Sequence, residues 1–184
     1  MYAPGAKSIA DNNENHIQDA GSVVFILKVK CELDNVASMQ ADENNKWILT
    51  MQSPDAGERR EHVEVTKARN EELDGSRGTA NFVVKWKGAK KQATANIVEI
   101  KKVTTQGLIK GDQSGDFVPI FALDCRGLEP IEWHPSTDFA VTSEGGTVYA
   151  SDGVDLSEED WSDYCEKSAA PVSIMEIEHK FEVA

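Results

Sequence analysis

The pattern that most limits the fold of this chain lies near its end. Between residues 175 and 181, Met175, Ile177, His179 and Phe181 alternate with Glu176, Glu178 and Lys180. Only an extended strand repeats its faces every two residues, so this segment reads as a strand with one buried and one wet face. Weaker versions of the signal recur along the chain. Residues 23–29 form a nearly continuous apolar run around Phe25, Ile26 and Leu27, short enough for a buried strand. Trp47, Ile48 and Leu49 place another over 46–51, and 62–66 alternates as a half-buried third. Further strands are expected over 81–87, 94–103, 117–123 and 131–133. Helical signal is scarce: Ser157 three residues before Asp160 predicts an N-cap and a short helix or helical turn near 157–164. Many short strands separated by Gly-rich turns predict an all-β sandwich or barrel.

Charge removes whole classes of function. The 184 residues hold 19 Lys and Arg against 32 Asp and Glu, a net charge of -13. Binding nucleic acid requires concentrated cations on phosphates, and an anionic membrane surface requires the same. Protein partners, with a larger assembly among the options, are the expectation that remains. The three cysteines, Cys31, Cys125 and Cys165, are widely separated and odd in number, so they form neither a disulfide framework nor a metal clip. Reduced thiols in a cytoplasmic setting follow. No apolar run approaches the roughly 18 residues of a membrane span. Residues 1–20, with Asp11, Glu14 and Asp19, read as a flexible extension, neither a secretory signal nor a transit peptide.

The most distinctive stretch is 123–164. It contains Cys125-Arg126-Gly127-Leu128-Glu129-Pro130, then Ile131-Glu132-Trp133, Phe139-Ala140, and Glu159-Asp160-Trp161-Ser162-Asp163-Tyr164. Physically this is a strand, a tight turn punctuated by Gly127 and Pro130, a second strand start and an acidic aromatic loop. Arg126 and Glu129 are close enough in sequence to pair. This pattern resembles the eukaryotic CXXC-motif-containing zinc-binding proteins. The resemblance continues through Glu176-Ile177-Glu178-His179-Lys180-Phe181 and reaches back, more weakly, to about Gly21. It implies an all-β fold over 21–184, in two β-rich halves (21–105 and 106–184) related by approximate internal symmetry.

The same resemblance implies a zinc site built from two Cys-x-x-Cys pairs, one at each of two hairpin tips, which together complete a tetrahedral sulfur shell. In this chain Trp47-Ile48-Leu49-Thr50-Met51-Gln52 is followed by Ser53-Pro54-Asp55-Ala56-Gly57-Glu58. The family-like stretch ending at Phe82 is followed by Lys85-Trp86-Lys87-Gly88-Ala89. Ser53, Ala56, Trp86 and Ala89 therefore stand at the four ligand positions. No slip of register restores them, because no cysteine lies between Cys31 and Cys125. The reading is a lost metal site with no metal or other cofactor. A structural zinc contributes about 10 kcal/mol or more in small zinc peptides, so a replacement is needed. Trp86 as an apolar plug, with Pro54 stiffening the first tip, is one possibility; two loose loops are the other.

Other constellations carry little chemistry. The histidines His16, His62, His134 and His179 show no ligand spacing; His179 reads as a core histidine and His134 as a turn residue. Cys125 ends an apolar strand and reads as a small buried hydrophobe, while Asp163 and Glu166 should raise the pKa of Cys165. The acidic residues Asp152, Asp155, Glu158, Glu159, Asp160 and Asp163 lack the order of an EF-hand loop and read as a solvated face. Trp161 and Tyr164 are expected to pack inward and pin their loop. Phosphate-loop and Ser-His-Asp patterns are missing from the sequence. Lys85, Lys87, Lys90 and Lys91 are the one dense basic region and a candidate contact surface. The reading is a non-enzymatic structural or interaction subunit whose metal site is lost. The alternative is a metal-handling protein that binds zinc or copper through residual groups.

Overall fold

A computed structural model describes residues 21–184. The extension expected over 1–20 lies outside the described residues. The chain is almost entirely strand. In order these are β1 (Val23–Asp34), β2 (Val36–Ala41), β3 (Trp47–Gln52), β4 (Arg59–Val65), β5 (Glu71–Glu72), β6 (Thr79–Ala80), β7 (Phe82–Val84) and β8 (Ala93–Val98). Then follow β9 (Leu108–Lys110), β10 (Val118–Arg126), β11 (Glu129–His134), β12 (Phe139–Ser143), β13 (Val148–Tyr149), β14 (Trp161–Cys165) and β15 (Ala170–Val183). The fold is all-β, as the period of two predicts.

The largest sheet has the order β14-β15-β1-β10-β8-β7. Its centre is the apolar run of β1, where Leu27 and Val29 are completely buried. A second sheet, β11-β3-β4, and a third, β13-β12-β2-β9, cover the core from other sides. Trp47 joins the layers: its indole stacks on Phe121 of β10 at 4.3 Å between ring centroids and meets Phe139 of β12 edge-on at 6.0 Å. Sequence-distant strands share each of the three larger sheets: β1 lies between β10 and β15, β3 beside β11, and β2 beside β12.

Two local expectations are corrected. The alternation places Met175 on the buried face of the last strand, yet it is 42% exposed. Glu176 takes a left-handed φ of 53°, and the pairing with β1 shifts register there, so the alternation is reset before Ile177. The helical tendency near 157–164 stops at a hydrogen-bonded turn, in which Asp155 Oδ1 accepts the Ser157 N–H at 2.9 Å. From Trp161 onward the segment is β14, because pairing with β15 satisfies its backbone. The two short 3₁₀ turns among the described residues lie elsewhere, at Gly111–Gln113 and Ser151–Gly153.

Candidate functional site

The first tip, between β3 and β4, is closed by one buried hydroxyl. Ser53 is 4% exposed. Its Oγ donates to Asp55 Oδ1 at 2.6 Å and accepts the N–H groups of Gly57 and Glu58, each at 3.1 Å. Backbone bonds from Ala56 N–H to Ser53 O (2.8 Å) and from Ser53 N–H to Glu58 O (2.9 Å) complete the turn. Pro54 occupies the second turn position, where its fixed φ suits the geometry. The Ser53 hydroxyl and the Gly57 N–H hold the Asp55 carboxyl below its usual pKa. The tip is an ordered knot of hydrogen bonds, and the loose-loop possibility does not describe it.

The second tip, between β7 and β8, is anchored by Trp86. The indole is 7% exposed, and its Nε1–H donates to Gly127 O at 2.7 Å. The Arg60 guanidinium lies over the ring, 5.5 Å from its centroid. Ala89 N–H closes the turn on Trp86 O at 3.1 Å, with Gly88 at φ 77° in the third position, where a left-handed residue is required. The turn at Arg126-Gly127, between β10 and β11, supplies the carbonyl. Gly127 has φ 68°, and a Cβ there would stand 3.3 Å from Ala93 Cβ. Leu128 and Pro130 bury beneath it, and Pro130 pairs with Met51 of β3. The family-like motif of Arg126, Gly127, Glu129 and Pro130 is thus the turn that receives Trp86.

The two tips face each other. Glu58 Oε2 accepts the Lys87 N–H at 2.5 Å, and Ser53, Asp55, Glu58, Trp86 and Ala89 line a common cleft of about 410 Å³. Ala56 lies in the same turn as Ser53. The four positions that the resemblance puts at the metal ligands are therefore brought together, but the residues there do not fit zinc. Ala56 and Ala89 have no donor atom, the indole Nε1–H is a donor only, and the Ser53 hydroxyl is committed to three partners. Among the described residues no three His, Cys, Asp or Glu side chains gather as metal ligands.

Lys85, Lys87, Lys90 and Lys91 are all exposed around the second tip. Sequence reasoning missed that Arg60 and Arg126 join them, since each comes from a different hairpin. It also missed a histidine pair: His62 of β4 stacks on His134 of β11 at 4.1 Å. His134 is a strand residue rather than a turn residue, with Nε2 2.8 Å from Thr50 Oγ1. His179 is half-buried at the edge of the core rather than fully inside it, its Nε2 accepting the Trp133 N–H at 3.1 Å. Burial holds its pKa below the ordinary imidazole value.

The thiols divide. All three are free and buried. Burial raises Cys31 to about 11 and pushes Cys125 higher still. Cys165 goes the other way, to about 6, because hydroxyls of Ser143, Ser168 and Thr147 surround its sulfur. The acidic neighbours expected to raise it, Asp163 and Glu166, are both exposed to solvent, and the hydroxyls around the sulfur outweigh them. The sulfur is nonetheless completely shut off from solvent. Trp161 and Tyr164 separate for a related reason. Residues three apart on a strand point to opposite faces, so Trp161 is buried against Tyr149 while Tyr164 is 55% exposed. The acidic residues from Asp152 to Asp163 are all exposed.

The family model for eukaryotic CXXC motif containing zinc binding proteins matches residues 26–182. A relative of that name from Rattus norvegicus is 34% identical over 158 residues, covering 84% of this chain and 95% of its own length. The Homo sapiens relative is 32% identical with the same coverage. A solved structure of a hypothetical protein from Plasmodium falciparum superposes with a TM-score of 0.77 at 29% identity, over 86% of this chain and 99% of that one. Matching over nearly the whole described length, this chain belongs to the eukaryotic CXXC motif-containing zinc-binding protein family.

Proposed function

We propose that this chain is a non-enzymatic interaction module of the zinc-binding family that holds its two tips by side-chain and backbone contacts in place of metal. The observation that carries this reading is the paired closure of the tips. Ser53 takes over the first turn, Trp86 fills and anchors the second, and Glu58 ties the second to the first through Lys87. This order stands in for the stability a metal would supply and also presents a fixed loop surface on which a partner can dock. The exposed lysines beside the tips supply the surface. A reduced, cytoplasmic setting is part of the proposal and is supported by three free thiols.

The test is affinity purification of the full chain from eukaryotic cells, compared with a variant in which both tips are altered by Asp55→Lys and Lys87→Glu. The proposal expects a stoichiometric partner that is lost from the variant while the fold, read by circular dichroism, is kept. An equal yield of partner with both forms would place the contact elsewhere.

A further inference from the structure

Beside the second tip runs a groove of about 580 Å³. Its floor is two cross-strand pairs of the large sheet, Arg126 opposite Thr94 and Asp124 opposite Asn96. One wall is the loop at 73–76, and the other is the tip itself, which contributes Lys85, Lys90 and Lys91. Gln92 fixes the first wall: its Oε1 accepts the Asp74 N–H at 2.8 Å, which leaves its amide NH2 as a donor. Asn96 is used alike, with Oδ1 accepting the Asn81 N–H at 3.2 Å. Four cationic side chains line this groove against the two acids Asp74 and Asp124, in a chain whose net charge is -13. A smaller cleft lined by Trp86, Ala89, Lys90, Lys91 and Arg126 joins it to the tip.

This chemistry selects its occupant. Ammonium groups with amide donors between them recognise carboxylates. The volume suits a few residues of extended chain rather than a folded surface. A polynucleotide needs cations along an extended track, and a lipid surface needs a broad basic face; the lysines of this groove form one short cluster in an acidic molecule. We infer that the groove docks a short, extended, acidic peptide segment of a partner protein, with its carboxylates on Lys85, Lys90 and Lys91. Asp74 and Asp124 repel any carboxylate placed directly over them, and this sets which positions of the segment carry charge. The inference rests on the interaction-module reading and names the chemistry of its partner.

The experiment is fluorescence polarisation of the full chain with a labelled Glu-rich dodecapeptide, with a Lys-rich peptide and a single-stranded oligonucleotide of equal length as comparisons. Binding of the Glu-rich peptide alone is expected, and it should weaken as salt rises. The exposed pair Lys90→Glu with Lys91→Glu should lose at least about tenfold in affinity, while Lys46→Glu with Lys167→Glu should lose less than about twofold. Equal losses from both pairs, binding of the oligonucleotide in place of the peptide, or no binding of the peptide would overturn the inference. Failure here with a tip-dependent partner still captured would refute the acidic segment and leave the interaction module standing. Failure of both measurements would remove both.

Discussion

The indole of Trp86 reaches across to the carbonyl of Gly127 at 2.7 Å, from a position where its relatives are expected to place a metal-binding thiolate. One side chain thus supplies two things that a metal ligand would: volume in the tip and a directional bond to the neighbouring turn. Trp86→Ala removes both and should destabilise the protein by about 3–5 kcal/mol. Trp86→Phe keeps the ring beneath Arg60 but leaves Gly127 O without the N–H, and should cost about 1 kcal/mol. Urea unfolding measures both; an alanine variant as stable as the parent would remove the plug from the account.

Ser53 sets a second prediction. Replacing it with Ala strands the N–H groups of Gly57 and Glu58 and removes the donor to Asp55. A loss of about 1–2 kcal/mol is expected. Because the same hydroxyl is the leading cause of the lowered Asp55 pKa, that pKa should rise toward its usual value in the variant, as read by NMR titration. In the parent the lowered value means that the tip's contribution is complete above the ordinary carboxylate range and is lost as pH falls through the folded value.

Acid should also loosen the contact between β15 and β11. His179 Nε2 must be unprotonated to accept the Trp133 N–H, and burial lowers its pKa below 6.5. The nearby Glu132 and Glu159 carboxylates oppose this and His134 adds to it, but burial dominates. The unfolded chain binds this proton more readily, so stability is full above pH 6.5 and declines as pH falls below it. Equilibrium unfolding between pH 7 and pH 5 should show that slope, and His179→Gln should flatten it.

Cys165 separates ionisation from access. Its hydroxyl partners bring the thiol to about 6, yet its exposure is zero, and Gly145 closes over it so tightly that a Cβ there would lie 3.1 Å from the sulfur. Alkylation by iodoacetamide at pH 7, followed by mass spectrometry, should label Cys165 only after unfolding. Rapid labelling in the native protein would show that this corner opens.

The strands were legible because a buried face repeating every second residue survives inspection of the sequence alone, as at Ile177, His179 and Phe181. The tips were legible because the residues flanking Ser53 and Trp86 have a family-like pattern although neither tip holds a cysteine. Where reading failed, the cause was three-dimensional. Arg60 and Arg126 reach the lysine tip from other hairpins, and no spacing along the chain predicts that. Met175 turned outward because a left-handed Glu176 reset the alternation. The hydroxyls around Cys165 come from two different hairpin turns, so nearby acids in sequence gave the wrong sign.

The proposed function requires the two tips to hold together without metal. Elemental mass spectrometry of the purified full chain, with thermal melts with and without chelator, tests it most directly. No stoichiometric zinc or copper and superimposable melts are expected. One metal ion per chain, with a melt that falls on chelation, would contradict it.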